Sequence, residues 1–171
     1  MKSFQNIKAG LILSVLAMLC GFIMGGVFGA NEDVIKSKLK NSGAGNIETV
    51  YQGDAEKMKS VVDKSWKYMI RAHLHWGVMG IGALAVCLLI AFVGNSVWEQ
   101  RGIALFIGLG ACMYGAFWMM AGFAAPALGS TGAGKEAYGW LGWPGAGMYI
   151  LATAWTIKNI LFYKPDLSQS N

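Results

Sequence analysis

The stretch that decides the fold is residues 65–94, SWKYMIRAHLHWGVMGIGALAVCLLIAFVG. It begins with polar and aromatic residues, carries Arg71, His73 and His75 in close succession, and continues as an apolar, glycine-rich run. About 20 mostly apolar residues are enough for a helix to cross a bilayer. Ionisable side chains at the entrance of such a helix are costly in lipid, so they usually face the bundle interior or a cavity. The two histidines are therefore the first candidates for a functional site.

The composition of the whole chain is typical of an integral membrane protein. Of its 171 residues, 55% are hydrophobic and only 13% are charged, and the mean hydropathy is +0.45, whereas soluble domains contain about 25% charged residues. Four apolar runs predict an all-α integral membrane protein with four transmembrane helices in a bundle, forming one domain over residues 1–171. The spans are predicted at residues 8–30, 68–94, 102–125 and 139–163, with a polar extramembrane insert at residues 31–64 between the first and second.

The charged residues and cysteines exclude several classes of function. The net charge of +5 is spread over helix ends and the insert, without a basic face that has interleaved aromatic residues. This distribution favours contact with membrane lipids and argues against a nucleic-acid partner. Cys20, Cys87 and Cys112 each lie in a different apolar run and form no C-x-x-C pair, which argues against a disulfide framework or a zinc site.

The first span begins after positive residues and ends with small ones, as a signal peptide does, but its apolar run is long for that role. We expect a retained transmembrane helix. Further along, the second half of the insert has apolar residues at spacings of three and four and enters the second span without a proline or glycine. This pattern predicts one long helix from about Asp54 to Gly94. Pro126 is expected to end the third span.

Basic residues near the ends of the spans predict the orientation. With four spans both termini lie on one side, together with Lys2, Lys8, Arg101, Lys158 and Lys164. The excess of Lys and Arg on the cytoplasmic side of membrane proteins places the termini in the cytoplasm, although the lysine-rich insert opposes this assignment. We expect a multi-pass protein of the cell inner (plasma) membrane.

His73 and His75 cannot serve the same small pocket, because residues two apart on a helix point about 200° away from each other. The other spans contain no histidine, so haem cannot be held by two histidines from two helices of one chain. Three arrangements remain open. They are a single-histidine haem, a second ligand from a third-span methionine such as Met113, Met119 or Met120, and a histidine from another subunit.

The residues around the histidines are compatible with a haem cofactor or with a helix interface. Gly77, Gly80 and Gly82 make the helix thin, which leaves room for a flat cofactor or a closely packed helix. Arg71 could pair with a propionate through its planar guanidinium. The alternative is a pair of histidines hydrogen-bonded within a helix interface, with Arg71 extending to lipid headgroups.

The run Tyr68-Met69-Ile70-Arg71-Ala72-His73, followed by a glycine-containing apolar helix, resembles the Arg-Ala-His segment that opens the second helix of styrene oxide isomerase. Chain length, four spans, a polar stretch between the first two and the third-span sequence Tyr114-Gly115-Ala116-Phe117-Trp118 are also similar. The resemblance implies a trimeric four-helix membrane protein. It would bind haem b through His73 and use the iron as a Lewis acid on an epoxide oxygen.

Other site residues of that family are only partly matched. Met79 stands where the family has an asparagine, Leu109 or Gly110 where it has an aspartate, and Phe117 where it has a tyrosine. Tyr114, three residues before Phe117, lies on much the same helix face and could supply the hydroxyl.

The sequence therefore supports two hypotheses about function. In the first, His73 is the axial metal ligand of haem b, Arg71, His75 and Trp76 belong to the cofactor pocket, and Tyr114 is the catalytic candidate for epoxide isomerisation; small-ligand or redox chemistry at the iron is equally open. Trp76, Met79, Tyr114, Phe117 and Trp118 would keep water away from the iron. In the second, the protein is a non-enzymatic structural or accessory subunit of a larger membrane complex. A homo-oligomer is expected in the first case.

Overall fold

The computed structural model describes residues 2–163, with side chains from Phe4 onward. Every regular element in this part of the chain is a helix, which confirms the all-α prediction. The helices are α1 (Lys2–Ala30), α2 (Glu32–Ala44), α3 (Ala55–Val93), α4 (Val97–Leu128), α5 (Thr131–Ala137) and α6 (Gly139–Leu161). Lys164, expected just beyond the fourth span, lies outside the described residues.

Three helices of the described part are long and apolar enough to cross a membrane. They are Phe4–Ala30, Ala55–Val93 and Val97–Leu128. These three candidate spans indicate a multi-pass membrane protein. The fourth predicted span corresponds to α6, which has 23 residues.

Helix α3 confirms the prediction of one long helix that joins the insert to the second span. Asp54 is its N-cap, and the Asp54 Oδ1 accepts a hydrogen bond of 2.8 Å from the backbone amide of Lys57. Side-chain acceptors at this position satisfy one of the amides that have no partner within the helix. Gly94 is the C-cap, so the 39-residue helix begins and ends where the sequence places it.

Helix α4 is longer than predicted at both ends. It begins at Val97 rather than Gly102, because the Ser96 hydroxyl oxygen accepts a hydrogen bond of 3.2 Å from the amide of Glu99 and caps the helix. Pro126 does not end it. The proline lies in the last turn, and the helix continues past it to Leu128, where Gly129 adopts a left-handed conformation with φ of 77°; glycine takes this conformation without steric cost.

The segment between the third and fourth predicted spans contains a short helix. Thr131–Ala137 forms α5. Its N-cap is Ser130, whose hydroxyl oxygen accepts a hydrogen bond of 3.0 Å from the amide of Ala133. This cap explains why a sequence of four small residues becomes helical. Helix α5 thereby forms one wall of the cleft described below.

Glycines allow the four longest helices, α1, α3, α4 and α6, to approach one another closely in pairs. At Gly80 of α3, a Cβ atom would lie 2.5 Å from the backbone nitrogen of Met18 in α1. At Gly110 of α4, it would lie 2.8 Å from the carbonyl oxygen of Gly145 in α6. Without a hydrophobic driving force between helices in lipid, such close contact supplies much of the association energy.

Tyr51 anchors the polar insert to the membrane-spanning part of the chain. Its side chain is 1% exposed, and its hydroxyl donates a hydrogen bond of 2.7 Å to the carbonyl oxygen of Pro126. Val61 and Ala125 are buried beside it. The insert is therefore attached to the end of α4 as well as to α3.

We expect Tyr51→Phe to lower the free energy of unfolding by about 1 kcal/mol, the usual net value of one hydrogen bond. Burial raises the pKa of the Tyr51 hydroxyl above its ordinary value of 10.0. Because the folded state then holds its proton more tightly than the unfolded state, stability is retained below pH 10 and falls as the pH rises from there through the folded pKa. Unfolding measured from pH 8 to 11 should show this fall in the wild type and a smaller fall in Tyr51→Phe. An equal fall in both proteins would contradict the assignment.

Candidate functional site

The structure places His73 on the face of α3 that contacts α1. Its imidazole lies 5.8 Å from the Phe28 ring, centroid to centroid, with the ring planes at 85°. The Nδ1 atom is buried and has no hydrogen-bond partner among the described residues. A buried nitrogen without a partner is uncommon in folded proteins, and a bound ligand or water molecule often completes such a site.

A groove floored by glycine receives the His73 ring. A Cβ atom on Gly25 would lie 3.3 Å from the His73 Cδ2 and 3.8 Å from its Nε2, so the absence of a side chain at this position lets the imidazole lie against α1. Gly26 and Gly29 have open space where a Cβ would point. The Nε2 edge of His73 therefore lies beside Gly25, while the Phe28 side chain of α1 packs against the same ring.

His75 lies on the opposite face of α3, among aromatic residues of α4. Its ring centroid is 5.0 Å from that of Tyr114 and 5.8 Å from that of Trp118, to which it is nearly parallel at 22°. The Arg71 guanidinium, one helical turn earlier, lies 5.5 Å from the Tyr68 ring and 5.6 Å from the Trp118 ring. These distances are typical of cation–π contacts.

A cleft of about 760 Å³ adjoins this aromatic cluster between α4, α5 and α6. Its volume is within the range of small-molecule sites. Tyr114, Phe117 and Trp118 form its inner wall, and the Trp118 Nε1 is buried without a hydrogen-bond partner in the described part of the chain. The outer wall is formed by the following residues: Gly132, Lys135, Glu136, Gly139, Trp140, Gly142, Trp143 and Ala146.

Trp76 takes part in helix packing. Its indole Nε1 donates a hydrogen bond of 2.9 Å to the carbonyl oxygen of Cys112 in α4. The indole also covers Gly115, where any Cβ would collide with it. Because its polar atom already has a backbone partner, Trp76 fixes the distance between α3 and α4.

The residues selected from the sequence thus form two groups. Arg71 and His75 lie on one face of α3, next to Tyr114 of α4, and His73 lies on the other face. Trp76 contacts α4 between the two faces. The guanidinium of Arg71 stacks on aromatic rings of the His75 face, so it does not lie in the His73 groove of the same chain.

The described residues contain no group of three or more His, Cys, Asp or Glu side chains that could hold a metal ion. Of the methionines proposed as second ligands, Met119 belongs to the buried cluster that contains Phe28 and Met69. The side chain of Met113 lies against Gly145 of α6.

Sequence reasoning missed the outer wall of the cleft. Trp140 and Trp143 match the aromatic residues expected at a membrane interface, and the structure adds that both line the cleft. Lys135 and Glu136 lie on α5, a helix that was not predicted. The available signal was Gly142, which brings α6 close to Phe117.

This geometry defines a class, the helical multi-pass membrane proteins with an aromatic cleft next to a histidine-bearing span. No family model, curated protein or solved structure matches the chain.

Proposed function

We propose that the chain crosses the membrane four times, with α6 as the fourth span and both termini in the cytoplasm. Helix α6 has 23 residues, about 35 Å at 1.5 Å per residue, and no charged residue occurs from Gly139 to Ile157. Its apolar side chains Ile150, Leu151 and Leu161 are exposed, as they would be against lipid. Trp140 and Trp143 at its start suit an interface.

We propose further that the protein binds haem b, with His73 as the axial ligand. The observation that carries this proposal is the position of the His73 imidazole, whose Nε2 edge lies over Gly25 next to the open positions of Gly26 and Gly29. A neutral imidazole is a good iron ligand, and no protein group among the described residues holds the Nδ1 of this ring.

When bound, haem with a vacant iron position supplies a Lewis acid for an epoxide oxygen or a site for a small ligand. In this chain, Tyr114 and Trp118 offer hydrogen-bond donors beside a cleft that could hold such a molecule. The cleft lies between α4, α5 and α6, whereas His73 contacts α1. The two can serve one site if the cleft of one copy meets the His73 groove of another. We therefore propose a homo-oligomer, for which the resemblance to styrene oxide isomerase suggests a trimer.

An absorption spectrum of the oxidised and reduced protein, produced with ample haem, tests the proposal. We expect a Soret band and the high-spin spectrum of a five-coordinate iron; a low-spin spectrum would instead indicate a second protein ligand such as a methionine. An epoxide-to-aldehyde assay on the coloured protein separates isomerase activity from ligand binding alone. A colourless protein under these conditions would rule out the haem proposal.

A second candidate function is an accessory subunit of a larger membrane complex. The open space at Gly26 and Gly29, favourable for haem, would equally admit a helix of another protein. This alternative predicts a colourless protein that is unstable alone and co-purifies with a larger assembly. A stable, coloured homo-oligomer would exclude it.

A further inference from the structure

A second groove, separate from the histidine site, lies in the insert between α2 and the first half of α3. It has a volume of about 760 Å³. Its apolar floor consists of Met58, Val62 and Trp66, and Asp63 is the one acidic residue among those that line it. Four lysines also line this groove, hereafter the lysine groove, and they are Lys36, Lys40, Lys59 and Lys67.

The lysine groove is formed by two helices that run side by side. Lys36 of α2 lies with its Nζ 5.3 Å from the Trp66 ring of α3, and at Gly43 a Cβ would lie 2.9 Å from the Met58 Cγ. The contacts therefore advance along α2, from residue 36 to residue 43, as they move backward along α3, from residue 66 to residue 58. The two helices are antiparallel, and the groove follows both of them.

One end of the lysine groove lies at the membrane surface. The candidate span of α1 ends at Ala30, and α2 begins at Glu32. On the other side, Trp66 and Lys67 come directly before the apolar run that starts at Tyr68. Tryptophan and lysine are typical of the boundary between hydrocarbon and headgroups. The groove thus opens where lipid headgroups lie.

The charge of the lysine groove selects an anion. Four ammonium groups face one carboxylate, and Lys36 also forms an ion pair with Glu32 on the same helix. Most acidic residues of the insert lie outside the groove, although the insert as a whole is nearly balanced in charge. An occupant with an anionic group and an apolar part would match both the lysines and the floor.

We propose that the lysine groove binds an anionic phospholipid, whose phosphate lies among the lysines at the membrane end while its acyl chains enter the bilayer below Trp66. An acidic segment of another protein would also match the charge. The position of the groove at the end of two spans favours the lipid, because phospholipid headgroups surround this end of the spans and lysines near a membrane surface attract the anionic ones.

Native mass spectrometry of the full chain in detergent tests the proposal with two probes, dioleoylphosphatidylglycerol and dioleoylphosphatidylcholine. We expect the wild type to bind the anionic lipid about tenfold more tightly, and the double variant Lys36→Gln/Lys67→Gln, which removes the two lysines at the membrane end, to lose most of this preference. The matched control is Lys38→Gln/Lys64→Gln. It removes the same charge from the same two helices at positions that do not line the groove, and it should keep the preference.

Two results would overturn the proposal. One is a wild type without preference for the anionic lipid, and the other is an equal loss in both double variants, which would indicate diffuse attraction by the whole insert. A photoreactive p-benzoylphenylalanine in place of Val62, activated in native membranes, addresses the occupant. An adduct with the mass of a phospholipid supports the proposal, whereas adducts with protein alone would assign the lysine groove to a partner.

Discussion

Replacing His73 with alanine should remove the Soret band of the purified protein, whereas replacing His75 with alanine should leave it in place. The two residues lie on opposite faces of α3, and only His73 reaches the groove over Gly25. His75 is enclosed by Tyr114 and Trp118. We expect His73→Ala to lower haem affinity more than about 100-fold, because the loss of a residue that merely supports a ligand already costs about 10–100-fold.

The His75→Ala variant is the matched control, since it removes the same side chain two residues away. A further variant, His73→Gly, distinguishes the loss of a ligand from misfolding. Free imidazole added to this variant should restore part of the Soret band if the fold is intact and the missing group is the ligand. Loss of the band in His75→Ala with its retention in His73→Ala would move the proposed ligand to the Tyr114 face and contradict our assignment.

The helical framework could be predicted because its signals are local. From Asp54 to Gly94 the sequence has helical spacing of apolar residues and no proline, and the capping groups occur at both ends. The end of α4 also has a local signal, but that signal is not Pro126. Helix α4 continues for two residues past this proline, and its end coincides with the left-handed glycine at position 129.

The candidate site could be predicted only in part. Helical periodicity alone places His73 and His75 on opposite faces. It does not specify which neighbouring helix each face meets, because that depends on the rotation of α3 within the bundle. The rotation is set by close contacts such as Gly80 with Met18, which involve residues far apart in the sequence. This is why Arg71 could be assigned to the His73 pocket from the sequence and yet lie against Trp118.

The same close contacts lead to the second large expected effect, on stability. At Gly80, a Cβ would lie 2.5 Å from the Met18 nitrogen, 2.9 Å from its Cα and 3.0 Å from the Ser14 carbonyl oxygen. All three are backbone atoms, so no side-chain rotation can relieve the collision and the two helices must separate. We expect Gly80→Ala to lower the free energy of unfolding by about 1–3 kcal/mol, the usual cost of overpacking.

Gly77→Ala provides the matched control, one turn away on the same helix. A Cβ at this position has no neighbour within 4 Å, so the gain in helix propensity should leave stability unchanged or raise it by up to about 1 kcal/mol. Unfolding of both variants in detergent micelles, with denaturant or heat, measures the difference. Because the substitutions are chemically identical, opposite effects can arise only from the contact between α1 and α3. Equal effects would mean that these helices are not held together at Gly80, and the groove that receives His73 would then have to be placed elsewhere.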